Sequence, residues 1–320
     1  MDKQQTIGIS ASGKISIGLV EDNCVVATIP HAGASSEEAG ARYEGLQNEI
    51  EILSMSVLNL PMEELVDTLT GMVRSLCMEH NADPVAAGMC FPGIIRDGVI
   101  EESPNLKQAK GTNLCRMLSH ALESIGMKPR VSVCNDADAT ATGIAARRRQ
   151  LEKFIRVWTL GQGIGFGRYP HSPGPCEGGH TVVSVDPKEV YCGCGGTGHL
   201  EGIMGHRAMR LRFLDLEPEE VFANARNGDQ RCADFEQLWH RALAAASATS
   251  IHLDGPGKFF ITGRNSKFVR VGLLSRYLQE MVTMSPLQRS VFEVIPADEE
   301  LAILGAAVHA EGRDKSFEAV

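Results

Sequence analysis

Aromatic side chains are scarce here, at 5% of 320 residues, and no apolar run approaches the 18 residues that a membrane-spanning helix needs. A membrane partner is therefore not expected. Positive charge is in deficit too: 31 lysines and arginines face 40 aspartates and glutamates, a net charge of −9. A nucleic-acid surface needs clustered cations, so no nucleic-acid partner is expected. The one basic run, Arg147-Arg148-Arg149, follows a helix-like stretch, where cations suit a helix C-terminus. The opening residues, MDKQQTIGIS, lack the apolar core of a secretory leader. The nine cysteines are odd in number and scattered, which points to reduced thiols in a cytoplasmic protein rather than a disulfide framework. Cys24, Cys77, Cys90, Cys115, Cys134 and Cys232 read as small buried apolar residues.

What is present is ordinary for a globular chain: 43% hydrophobic and 22% charged residues. The length suggests two domains, each with its own core. "TIGIS" and "KISIGLVEDNCVVATI" read as strands, and "MEELVDTLTGMVRSLCMEH" as an amphipathic helix. "PVAAGMCF" reads as a buried strand and "IIRDGVI" as a hairpin, because Asp97-Gly98 tolerates the positive φ of a tight turn. A helix over "NLCRMLSHALESIGM", a strand over "RVSVCND" and a small-residue helix over "ADATATGIAARRR" follow. "FIRVWTLGQGIGFGRY" reads as two strands round a glycine turn, with helices dominating 206 to 250. "KFFITGRNS" is a strand running into a turn, "KFVRVGLLSRYLQEMV" a helix, and "DEELAILGAAVHA" a closing helix. Strands alternating with helices indicate an α/β protein of two sheet-centred halves.

The densest chemistry lies in "EGGHTVVSVDPKEVYCGCGGTGHLE", residues 177 to 201. Thiolate and imidazole are the ligands of tetrahedral zinc, so His180, Cys192, Cys194 and His199 form a candidate Zn2+ site. The spacing of Cys192 and Cys194 is tighter than usual, but the glycines around them let the backbone wrap an ion. A disulfide between them would be strained, and a redox pair prefers two intervening residues. The competing reading is a glycine-rich loop with incidental cysteines. Glu177 and Glu201 bracket the cluster, and carboxylates beside imidazole with few cations suit hydrogen bonds to sugar or polyol hydroxyls.

Glu177-Gly178-Gly179-His180 with Cys192-x-Cys194-Gly195-x-x-Gly198-His199-x-Glu201 resembles the signature of the ROK family (repressor, open reading frame, kinase). The family's third cysteine is His199 here, a Cys2His2 set that still suits zinc. Phe91-Pro92-Gly93, Ser103-Pro104-Asn105-Leu106, Cys134-Asn135-Asp136-Ala137-Asp138-Ala139, Thr159 to Gly165 and Leu304-Gly305-Ala306-Ala307 resemble further family motifs in order and spacing. The resemblance implies a two-domain ribonuclease H-like fold of the hexokinase/actin-like superfamily, with sugar bound in a cleft. It implies Asp136 as the catalytic base, although on its own Asn135-Asp136 reads as a helix N-cap. Asn105, Asn135, Asp136, Glu177, His180 and Glu201 would bind sugar hydroxyls. ATP with Mg2+ would be held by Gly13 and Lys14, by the second phosphate loop Gly161-Gln162-Gly163, and at Gly263-Arg264. It further implies a homodimer, a smaller domain over 1–115 completed by 298–320, and a larger zinc-bearing domain over 116–297.

Two stretches depart from the family pattern. In "IGISASGKISIGLV", Ser10 stands where the family has the aspartate that organises magnesium, Ser12 replaces a glycine, and one residue is missing. Arg264 and Asn265 stand where the family has glycines. Two functions follow: an ATP-dependent hexose kinase acting on the 6-hydroxyl of a glucose-like sugar, or a non-catalytic sugar-binding protein. The DNA-binding repressor branch is disfavoured, because only six residues precede the first glycine turn.

Overall fold

The computed structural model describes residues 4–12, 14–30, 60–103, 106–171, 177–283 and 292–313. Its contacts divide the chain into two compact units. The first comprises Met1–Lys153, Arg168–Pro175 and Asp298–Val320; the second comprises Phe154–Gly167 and Cys176–Ala297.

In the first unit, β1 (Gln5–Ser12), β2 (Lys14–Glu21) and β3 (Cys24–Pro30) form an antiparallel meander. Asp22 and Asn23 turn the chain from β2 to β3 with φ of 50° and 63°, the backbone a two-residue hairpin demands. After α1 (Met62–His80), the strand β4 (Ala86–Phe91) lies parallel to β1. A small hairpin of β5 (Ile94–Arg96) and β6 (Val99–Glu102) follows, then α2 (Leu114–Ser124). Next, β7 (Arg130–Asn135) pairs parallel with β4 and leads into α3 (Asp136–Arg147). The sheet order is β3-β2-β1-β4-β7. Alternation decides its faces. Ile7, Ile9 and Ala11 point into a core shared with Leu65, Leu69, Leu114 and Leu118 of α1 and α2.

Small residues occupy the opposite face because α9 (Glu299–Ala310) lies directly on it. A Cβ at Gly8 would sit 2.1 Å from the Ile303 carbonyl oxygen, and one at Gly88 would sit 1.8 Å from that of Ala306. Only glycine permits such a backbone approach. α9 also packs against α3. The first unit therefore runs past residue 115 to Lys153, because β7 belongs to its sheet and α3 to its helix layer. Arg147 ends α3 and pairs with Asp298 and Glu300 at the start of α9, which absorbs the leading cation of the basic run.

The second unit centres on β8 (Ile155–Leu160), β9 (Ile164–Tyr169), β10 (Lys258–Thr262) and β11 (Phe292–Val294), in the order β11-β10-β8-β9. Its helices are α4 (Leu200–Met204), α5 (His206–Arg212), α6 (Pro218–Arg226), α7 (Gln230–Asp254) and α8 (Val271–Met281). Trp158, Phe222, Phe259 and Trp239 anchor the core between this sheet and α7. The helix expected from residue 267 begins only at Val271. Gly263, at φ 97°, turns the chain out of β10, and Arg264–Phe268 wind as a 3-10 turn first. Among the predicted buried cysteines, Cys77, Cys90, Cys134 and Cys232 are buried, whereas Cys24 is exposed and Cys115 half-buried. Cys24 alternates outward on β3 at the end of the sheet. No described helix is long and apolar enough to cross a membrane.

Candidate functional site

The metal-type motif folds as a closed loop in the second unit. Val182 and His199 form a β-bridge, and the N–H groups of Val183 and Ser184 both donate to the Gly198 carbonyl. Gly198 itself donates to the Glu189 carbonyl at 2.7 Å. With φ at 73°, and a Cβ placed 1.9 Å from the Ser184 carbonyl oxygen, position 198 accepts only glycine. The outer limb of the loop is clamped by the ion pair of Glu189 with Arg212 of α5. Glu189 is 8% exposed, and the Arg212 guanidinium also lies over the Tyr191 ring at 4.4 Å. Buried charges persist when paired in this bidentate way.

That loop gathers the four predicted ligands. One donor atom from each of His180, Cys192, Cys194 and His199 lies within 4.8 Å of all the others. The two thiol sulfurs are 3.3 Å apart and the two imidazole Nδ1 atoms 3.3 Å apart. Cys192 Sγ is 3.6 Å from His180 Nδ1, and Cys194 Sγ is 3.2 Å from His199 Nδ1. Around tetrahedral zinc, ordinary bond lengths give edges of about 3.8 Å (S–S), 3.6 Å (S–N) and 3.3 Å (N–N). The donor set fits such an ion in geometry and chemistry. Burial pushes the Cys192 thiol up to about 12, so it holds its proton unless a cation takes that place. Burial, and then the neighbouring His180, lower the pKa of His199 and favour the neutral imidazole a metal needs.

Because Nδ1 of His180 faces the cluster, Nε2 is left outward, 3.9 Å from Glu177 Oε2. Glu177 starts the 3-10 turn Gly178–His180. Glu201 in α4 places Oε1 3.9 Å from Cys192 Sγ, while its Oε2 accepts the Ile164 N–H at 3.0 Å. Glu201 thus reaches the second glycine loop, Gly161-Gln162-Gly163, which joins β8 to β9.

Two residues outside the sequence prediction also grip that loop. The Gly161 carbonyl accepts from the His206 backbone N–H at 3.0 Å and from Asn265 Nδ2 at 3.1 Å. His206 Nδ1 lies 3.3 Å from Asn265 Oδ1. Burial, then Arg264, lower the pKa of His206; a neutral ring carrying its proton on Nδ1 satisfies that contact. Asn265 is fully buried, whereas Arg264 is exposed at the start of the 3-10 turn. The available signal was Asn265 itself, which the resemblance noted above marks as a departure from glycine.

In the first unit, Asn135 closes β7 as the N-cap of α3. Its Oδ1 accepts from Ala137 N at 2.8 Å and Asp138 N at 3.3 Å, and its Nδ2 donates to the Gly93 carbonyl. The capping reading of Asn135 therefore describes its side chain. Asp136 follows at the first helical position and is half-buried. Two residues on, Asp138 is committed to structure, accepting from the Arg168 N–H at 2.9 Å and pairing with His171 Nδ1 at 3.2 Å. Beside Asp136, the Cys90 thiol is pushed up to about 12 by burial and then by the Asp136 charge. Ser10, 5% exposed, hydrogen-bonds Cys90, its register partner across β1 and β4. Ser10 also faces Ser16 across β1 and β2, so hydroxyls, not a carboxylate, line this row. Gly13 and Asn105 lie outside the described residues, and for Lys14 the structure gives its backbone place at the head of β2.

The structure thus brings together the four cluster residues, Glu177 and Glu201, and ties the loop at Gly161–Gly163 to that of Gly263–Asn265. Asn135 and Asp136 stand at a strand–helix junction of the first unit.

Comparison with known proteins agrees with this architecture. The chain is 27% identical over 265 residues to a glucokinase of Pyrobaculum calidifontis, covering 78% of this chain and 83% of that protein. It is 30% identical over 272 residues to an N-acetylmannosamine kinase of Escherichia coli O139:H28, covering 78% and 86%. In fold it resembles the crystal structure of a ROK hexokinase from Thermus thermophilus, with a TM-score of 0.73 at 21% identity over 98% of this chain and 100% of that one. The sequence profile of the ROK family matches residues 45–312, and on that match the chain belongs to the ROK family.

Proposed function

We propose that this protein is a sugar kinase that transfers a phosphoryl group from ATP to a hydroxyl of a hexose. The observation that carries the reading is the assembled Cys2His2 cluster with the second nitrogen of His180 turned out toward Glu177. A zinc ion held by His180, Cys192, Cys194 and His199 would supply no reacting group. It would lock the imidazole tautomer and orient Nε2, as second-shell chemistry at metal sites does. His180 Nε2 and the Glu177 carboxylate then offer a donor and an acceptor suited to sugar hydroxyls. Relatives that phosphorylate glucose and N-acetylmannosamine support a hexose-like substrate.

In the transfer, the attacking hydroxyl oxygen bonds to the γ-phosphorus, the bond to ADP breaks, and the hydroxyl proton passes to a carboxylate. Asp136 takes that proton. It stands at the first position of α3, where its Oδ1 accepts the Ala137 N–H at 3.0 Å. The amides of Gln162 and Gly163 provide the phosphate cradle, while that of Gly161 closes the turn by donating to the Gly163 carbonyl at 3.0 Å. Magnesium fits less well at β1, because Ser10 presents a buried hydroxyl engaged with Cys90 where a hard cation prefers a carboxylate. The test is sugar-dependent ADP release from ATP with glucose, mannose and N-acetylmannosamine, in wild type and Asp136→Ala. Turnover in the wild type alone supports the reading, and no turnover with any hexose removes it.

Ser10 favours a second reading, a protein that binds sugar without phosphorylating it. The family match begins at residue 45, so β1 to β3 lie outside it. Calorimetric sugar binding without nucleotide binding or turnover would select this alternative.

A further inference from the structure

Glu201 has two carboxylate oxygens and two structural neighbours. Oε2 accepts the Ile164 N–H at 3.0 Å, and Oε1 lies 3.9 Å from Cys192 Sγ. It stands two residues beyond His199, at the head of α4, whose first N–H, from Leu200, is bound to the Thr181 carbonyl. The fit against the glycine loop is close: a Cβ at Gly163 would fall 2.4 Å from Glu201 Oε2. The same short segment also supplies the His206 N–H to the Gly161 carbonyl, so both ends of the loop are held from residues that follow the last metal ligand.

We propose that Glu201 is a positioning residue that makes the order of the phosphate loop depend on the metal cluster. Assembly of the cluster fixes His199, which fixes the start of α4. Glu201 then holds the Ile164 amide, and the Gln162 and Gly163 amides keep the orientation that receives phosphate. The metal in this scheme acts on the nucleotide side as well as the sugar side. The inference rests on the kinase reading for what the loop binds, but not for the coupling itself.

The experiment uses the full-length zinc-loaded chain, with Glu201→Ala and Glu201→Gln, and reads hydrogen exchange at Ile164 beside zinc content and steady-state kinetics. Loss of one charge-assisted hydrogen bond is expected to speed Ile164 exchange about tenfold or more in Glu201→Ala. Zinc should stay stoichiometric and the KM for ATP should rise more than kcat falls. Glu201→Gln keeps an acceptor oxygen and should restore most of the protection. Chelation of the wild type should speed Ile164 exchange as the alanine does, and chelation of Glu201→Ala should add little, the non-additivity of one shared path. Unchanged Ile164 exchange in Glu201→Ala, or chelation that leaves Ile164 protected, overturns the proposal, even if sugar binding weakens. If no hexose is turned over, the kinase reading falls while the exchange data still decide the coupling.

Discussion

Two regions of this protein, the strand pair β1–β2 and the loop Gly161–Gly163, are lined by different chemistry. In the first, Ser10 has Ser16 and Cys90 as its neighbours on the sheet. The second, Gly161–Gly163, is held by Glu201, His206 and Asn265. At the first, a buried hydroxyl lies in register with a second hydroxyl and a thiol. At the second, a carboxylate, a backbone N–H and a buried side-chain amide bind the loop's backbone directly. The difference teaches that the two regions are organised by different means: sheet register at β1 and β2, and side chains distant in sequence at Gly161–Gly163.

The largest test of the comparison is to take away the metal. Cys192→Ala, or chelation, is expected to abolish stoichiometric zinc, lower Tm and weaken sugar binding at least tenfold, because structural zinc sites contribute folding energy directly. Metal analysis, calorimetry and thermal melts check this. Retained sugar affinity in a zinc-free protein would show that the loop of 181–199 stands by its hydrogen bonds alone. Next comes Asp136→Ala, which removes the proposed base. A fall in kcat of about 10²–10⁴ is expected with Tm nearly unchanged, since the Asn135 cap remains.

Placing a carboxylate at position 10 with Ser10→Asp probes the first region. If Ser10 limits the enzyme, kcat/KM with ATP and magnesium should rise about tenfold, a gain of ~1.4 kcal/mol. An unchanged or lower value would mean that the hydroxyl row of β1 and β2 is no handicap.

The smallest effect concerns pH. In the second unit, His240 is fully buried, accepts the Arg270 N–H at Nε2 and bonds the Glu236 carbonyl through Nδ1. Its pKa is lowered by burial first, although Glu236 opposes the shift and Arg270 adds to it. The unfolded chain then takes up a proton near the ordinary histidine value of about 6.5 that the folded chain refuses. Its contribution to stability is therefore complete above that pH and is lost as the pH falls below it. His206 and His199 shift in the same direction, also through burial first. Tm should fall between pH 7 and pH 5, and the fall should be shallower in His240→Gln, which cannot titrate.

Much of the fold was legible because its signals are local. The periodicity of Met62–His80 marked a helix to the residue, and Asp97-Gly98 marked a hairpin whose two turn residues take φ of 51° and 75°. The strand over Phe292–Val294 carries little signal, being three residues long and lying beside β10 at the end of the described sheet. The late start of α8 was not legible either, because Lys267–Arg270 continue the apolar spacing of the helix in sequence, whereas the 3-10 turn that follows Gly263 takes up the chain as far as Phe268.

By itself, the sequence determined the alternation of strands and helices, the four donors of the cluster and the family to which they belong. These depend on residue type and spacing along the chain. Only the tertiary structure decided what each polar group is spent on. Asn135 caps a helix, Asp138 holds Arg168 and His171, Glu201 reaches from the cluster to the Ile164 amide, and Asn265 binds the Gly161 carbonyl. Glu201 and Asn265 lie 37 and 104 residues from the groups they hold. A hydrogen bond needs a donor and an acceptor about 3 Å apart, and over such separations only the folded chain sets that distance.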